Sequence, residues 1–124
     1  MVARARAMLA EAPGRPHRLC DVARAVGVSP SHLSHVFHAE VGLPLHRYLL
    51  QLRMAQAIER LRHGERDLSR LALDLGFATH SHFSAAFRRT FGVPPSVARR
   101  ALAAEPGPRP RRPHETRVDV QRAG

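Results

Sequence analysis

The chain has 124 residues, 44% of them hydrophobic, with one cysteine, no tryptophan and a formal net charge of +10. That length holds one domain or two very small ones, and a single cysteine excludes an intrachain disulfide. All twenty cations are arginine, whose planar fork suits phosphate and base edges, so a polyanionic partner is expected.

Val2 to Glu11 reads as a helix rich in alanine, ended by Pro13-Gly14-Arg15-Pro16. Leu19, Val22, Ala23 and Val26 then recur at i, i+3, i+4 and i+7, a short helix with one buried stripe. Gly27 stops it. Ser29 is placed to cap the next helix and Pro30 to occupy its first turn, with Leu33, Val36 and Phe37 facing inward. Gly42 closes that helix, and so short a glycine turn between two helices is that of a helix-turn-helix unit.

The longest helix is predicted from Pro44 to about His63-Gly64, with Leu45, Tyr48, Leu49, Leu52, Ala55, Ile58 and Leu61 as one apolar stripe. The first pattern then returns. Leu19 to Val28 aligns with Leu68 to Phe77 at an offset of 49. After one inserted residue the offset is 50, and Leu33, Phe37, Val41, Gly42 and Pro44 meet Phe83, Phe87, Phe91, Gly92 and Pro94. A second unit is therefore expected, with a Thr79 cap and a core stripe of Phe83, Phe87 and Phe91. Pro94-Pro95 opens a last short helix to about Leu102. From residue 103 onward the Arg/Pro-rich composition predicts a disordered tail. Without it, residues 1–102 still carry a net charge of +8.

The expected fold is all-α, with two helix-turn-helix subdomains joined by a long connector helix. Residues 1–42 form the first unit, 44–63 the connector and 67–102 the second unit. A helix of about 20 residues spans about 30 Å at 1.5 Å per residue. Successive major grooves on one face of B-DNA lie about 34 Å apart, so the connector has about the right length to place two reading helices in them.

On the first reading helix the inward residues leave Ser31, His32, Ser34, His35 and His38 for the groove; on the second they leave His80, Ser81, Ser84 and Ala85. Neither helix has Arg, Asn or Gln in its first two turns, so bidentate base readout is absent there. Ala85 can meet only a thymine methyl. Candidate phosphate contacts are Arg47 and Arg53 on the connector, Arg88, Arg89, Arg99 and Arg100 further on, and the helix starts at Ser29 and Thr79.

These residues resemble the DNA-binding domain of the AraC/XylS family of bacterial transcription regulators. Gly76-Phe77, Ser81, Phe83, Phe87-Arg88, Phe91-Gly92-Val93 and Pro95 fall on the family pattern in the second unit; Ala23, Gly27, Ser29, Leu33, Phe37, Gly42, Arg53 and Ala57 do so earlier. The aromatic usual before the last arginine of the pattern is Ala98 here. The resemblance implies base contacts at Ser31, Ser34, His35, His80, Ser81, Ser84 and Ala85. It also implies a transcription regulator acting on double-stranded DNA, an activator, which requires a surface for RNA polymerase. With both reading helices in one chain, a monomer is expected on the DNA. The short stand-alone regulators of the family match this length. The alternatives are the DNA-targeting half of a longer ligand-sensing regulator or of a DNA-acting enzyme, and an interaction adaptor.

No catalytic constellation and no cofactor is expected. His32, His35 and His38 lie at i, i+3 and i+6, too far apart around a helix to converge on a metal. Cys20 is expected to be a small, partly buried residue. No segment has the length of a membrane span or the apolar run of a signal peptide, so a cytoplasmic protein at the bacterial nucleoid is expected.

Overall fold

The computed structural model describes residues 1–104, and every regular element among them is helical. The helices are α1 (Val2–Glu11), α2 (Leu19–Val26), α3 (Pro30–Val41), α4 (Leu45–Arg62), α5 (Leu68–Asp74), α6 (His80–Phe91) and α7 (Pro95–Ala104). The all-α fold with two helix-turn-helix units is as expected. The Arg/Pro-rich tail lies outside the described residues from residue 105.

Local chemistry sets the ends of these helices. Ser29 caps α3 by accepting from the His32 amide at 3.1 Å, with Pro30 in the first turn. Thr79 caps α6 through the His82 amide at 3.0 Å, and Asp67 caps α5 through the Arg70 amide at 3.0 Å. Such caps satisfy amides that the helix cannot pair for itself. Between the two helices of each unit, Gly27 and Gly76 take φ values of 81° and 90°, a left-handed turn that costs a side-chain-bearing residue energy.

Two hydrophobic cores result. The first gathers Val2, Ala5 and Leu9 of α1, Val22, Ala23 and Val26 of α2, Leu33 and Phe37 of α3, and Leu45 and Leu49 of α4. The second gathers Met54, Ala57 and Leu61 of α4 with Leu71, Ala72, Leu75, Phe77, Phe83, Ala86 and Phe87. Thus α1 closes the first unit, and α7, packed on α4 and α6, closes the second. Ala98 is partly buried against the second core, where the family usually has an aromatic.

The expected single stripe on the connector is corrected. At about 100° per residue, Tyr48, Leu49 and Leu52 point roughly opposite to Met54, Ala57, Ile58 and Leu61. The N-terminal half of α4 feeds one core and its C-terminal half the other, from opposite sides. Ala55 belongs to neither and is exposed, whereas Met54 and Ala57 are buried. Two further expectations change. Phe91 is 41% exposed, because α6 ends beyond the edge of the core, although its ring centroid stays 4.6 Å from that of Phe87. Cys20 is exposed in the first turn of α2.

Polar contacts tie the units to their connector. Arg60, near the end of α4, meets Glu65 at 2.7 Å and Asp74, at the end of α5, at 3.1 Å. The Arg60 guanidinium holds the Glu65 carboxyl below its usual range, helped by the Asp67 amide that it accepts from. A carboxyl depressed in the folded state stabilises at pH above its unfolded value, and that contribution fades as pH falls through the folded value. Melting of the wild type and of Glu65→Gln is therefore expected to differ at neutral pH and to converge below the ordinary glutamate range. A constant difference down to acid pH would show that the ion pair contributes nothing.

Midway along α4, three segments meet. The guanidinium of Arg53 donates from Nε to the Pro13 carbonyl at 2.8 Å and from Nη2 to the Arg15 carbonyl at 3.0 Å. Its Cζ lies 5.7 Å from the centroid of the Phe77 ring. Gly14, between its two acceptors, passes so close to α5 that a Cβ there would run into the Asp74 carbonyl oxygen. A Cβ on Gly76 would lie 2.7 Å from the Gly14 carbonyl oxygen and 2.9 Å from the guanidinium carbon. The α1–α2 linker thus lies directly against the α5–α6 turn.

Candidate nucleic-acid interface

The second helix of each unit, α3 or α6, turns one face into its core and the other to solvent. On α3, Leu33 and Phe37 are fully buried, and Ser31, His32, Ser34, His35 and His38 are exposed. On α6, Phe83, Ala86 and Phe87 are buried, His80, Ser81, Ala85 and Arg88 are exposed, and Ser84 is half-buried. Burial therefore brings the sequence-expected base-contact residues of each unit onto or beside one outward strip. On α3, Ser31, Ser34, His35 and His38 line a shallow open depression with Leu19 and Ala39.

The offset of 50 superimposes the two strips: Ser31 on Ser81, Ser34 on Ser84, His35 on Ala85 and His38 on Arg88. Arg88, expected as a phosphate contact alone, thereby stands on the same strip as Ser81 and Ala85. The repeat register contained that signal. His82 turns elsewhere, its ring edge-on to Phe77 with centroids 5.3 Å apart. Among the described residues no group of three His, Cys, Asp or Glu side chains could hold a metal ion.

The expected phosphate contacts divide into two kinds. Arg47, in the first turn of α4, and Arg88, Arg89 and Arg100 are exposed cations. The hydroxyls of Ser29 and Thr79 are at the N-termini of α3 and α6, each engaged as a cap. Arg99 donates to the Arg66 carbonyl at 3.0 Å and ties α7 to the α4–α5 loop. Arg53 is turned inward: its bonds to Pro13 and Arg15 and its contact with Phe77 spend the guanidinium on the fold, and burial lowers its pKa from the ordinary value. The close-packed glycines around it, Gly14 and Gly76, were not singled out by the sequence pattern as a contact. Gly14 between two prolines, in a linker long enough to reach α5, is the only trace of it.

A family described as a helix-turn-helix domain matches residues 22–101. A transcriptional regulator from Chromobacterium violaceum, described as AraC-type DNA-binding domain-containing, superposes with a TM-score of 0.77 at 28% identity over 86% of this chain and 94% of that one. This chain belongs to the AraC family. Among curated AraC-type relatives, the transcriptional activator RhaR of Klebsiella pneumoniae is 33% identical over 98 residues, 79% of this chain and 35% of RhaR. The DNA-binding domain of AdpA, solved in complex with a target DNA, has the same fold, with a TM-score of 0.78 at 22% identity over 83% of this chain and 93% of that one. The chain spans about a third of the length of the curated relatives it matches. The AraC family is one of DNA-binding transcription regulators, and both helix-turn-helix units of the family are present here. No helix among the described residues is long and apolar enough to cross a membrane.

Proposed function

We propose that this AraC-type domain binds double-stranded DNA as a monomer, with α3 and α6 in two successive major grooves on one face of the duplex. The observation that carries the reading is the repeated outward strip: two helices of one chain, each anchored by buried aromatic or aliphatic residues, present equivalent positions to solvent in a strongly basic protein. Ser31, Ser34, His35, His80, Ser81, Ser84 and Ala85 meet base edges. Arg47, Arg88, Arg89 and Arg99, with the helix starts at Ser29 and Thr79, meet phosphates. Arg53 has no place in this interface.

The two strips differ in chemistry, so the two half-sites differ too. His35 and His38 of α3 offer ring nitrogens where α6 offers the methyl of Ala85 and the guanidinium of Arg88. With so few bidentate base readers, DNA shape and bridging water carry part of the specificity. The protein regulates transcription from such sites, as an activator through RNA polymerase, at the nucleoid, without catalysing a reaction. The share of its relatives' length favours one second reading, the DNA-targeting part of a longer sensor.

Selection of bound sites from random DNA, followed by footprinting, tests the proposal. Two protected major-groove segments about one helical turn apart, unlike in sequence, are expected at one protein per duplex. A requirement for a symmetric site and two protein molecules would overturn the monomeric reading.

A further inference from the structure

We infer that Arg53 is a positioning residue: by bridging the α1–α2 linker to the α5–α6 turn it holds the two units at one separation and rotation, and so sets which spacing of DNA half-sites the protein accepts. This rests on the two-groove reading above. The helix α4 alone is a weak ruler. It meets the two cores on opposite faces of its two halves, so a small bend or twist near its middle swings one reading helix relative to the other. Arg53 sits at that middle.

Its guanidinium reaches both sides of the joint. Two donors close on carbonyls of the first unit's linker, at 2.8 and 3.0 Å, and its plane meets the second unit at Gly76 and Phe77. The fork geometry matters, because a lysine ammonium keeps the charge but cannot hold two fixed acceptors with one rigid plane. The glycines complete the joint. Neither Gly14 nor Gly76 has room for a Cβ without moving backbone or the Arg53 side chain. A flexible tether would not need such close packing; a fixed angle between units does. Half-site spacing is the quantity that reads this angle, since one added base pair shifts the second half-site by about 3.4 Å and rotates it by about 34°.

The experiment uses the full chain and a series of duplexes in which the two selected half-sites are separated by one or two base pairs more or fewer than the selected spacing. Wild type is expected to lose about tenfold in affinity per displaced base pair, the order of a single mismatch. Arg53→Lys, which keeps the charge, is expected to shrink that penalty to about threefold or less while leaving affinity for a duplex with one half-site unchanged. Gly14→Ala, acting from the other side of the joint, should broaden the profile in the same way. If Arg53 were a phosphate contact, Arg53→Ala would lower the slope of log K against log salt by about 0.9 and keep the spacing profile sharp; that result overturns the inference.

A second measurement needs no change at the joint. Labels at Glu40→Cys and Thr90→Cys, in a Cys20→Ser background, should give one narrow distance distribution in the free protein. A broad distribution overturns the inference whatever the variants do. A wild type that protects two DNA segments but tolerates every spacing overturns it alone. A wild type that protects only one segment overturns the two-groove reading, and the inference with it.

Discussion

Phe87→Ala is expected to unfold the second unit while the first keeps its structure. Phe87 is fully buried, with its ring 5.8 Å from Phe83 and 4.6 Å from Phe91 by centroids. Deleting such a ring removes its transfer energy and leaves a cavity, at a cost of about 3–5 kcal/mol. A small domain holds a total of about 5–15 kcal/mol, and half of one holds less. The residues of the first core are all drawn from α1, α2, α3 and the start of α4, so they lose no contact. Amide exchange read residue by residue should show protection lost in α5, α6 and α7 and kept in α2 and α3. Uniform loss across both units would mean that the two cores fold as one cooperative body.

Ser81→Glu is expected to weaken binding to the selected site about a hundredfold without lowering the melting temperature. The side chain is exposed in the first turn of α6, on the strip opposite Phe83 and Phe87. A carboxylate near a helix N-terminus is compatible with the helix itself. Against DNA it meets phosphates of like charge and replaces a hydroxyl proposed to meet a base, and one wrong base contact already costs about 1–3 kcal/mol. A loss of about two orders of magnitude in affinity for the selected site follows, since 1.4 kcal/mol is about tenfold. Unchanged binding would place the strip of α6 away from the DNA. A fall in melting temperature with unchanged binding would mean that the two faces of α6 had been exchanged.

Most of the helices were legible because their ends carry local chemistry. Ser29-Pro30, Thr79 and the glycines after α2, α3 and α6 mark boundaries that need no tertiary information. The inward residues Leu33, Phe37, Phe83 and Phe87 were legible from spacing and from the repeat, each reading supporting the other. The face of α4 was not. A helix that serves two cores from opposite sides has no single apolar stripe, so periodicity over the whole helix selects a false average that included Ala55 and passed over Met54 and Ala57. Phe91 kept its place in the repeat but not its burial, because a repeat aligns positions and says nothing of where the core ends.

The candidate interface was legible to the level of which faces of α3 and α6 turn outward. Which residues of α3 and α6 point outward follows from which point inward. Whether an exposed arginine serves phosphate or fold does not follow from sequence, because both uses look the same on a basic helix. Arg53 and Arg47 stand six residues apart on one connector, yet one is exposed and the other is closed on Pro13 and Arg15. That difference depends on a linker 38 to 40 residues away in sequence.

Because α4 lends a different face to each core, the two cores of this chain are free to drift apart in evolution so long as the joint of Gly14, Arg53 and Gly76 is kept. A substitution at Leu49 is repaired by neighbours in α1, α2 or α3, and one at Ala57 by neighbours in α5 or α6, with no residue of either core obliged to satisfy both. Changes at sites that share no partner add rather than interfere. One half can therefore acquire a new recognition surface while the other retains its own, and recombination between related genes within the α4 coding stretch would exchange whole cores with their outward helices attached, provided both parents keep that joint.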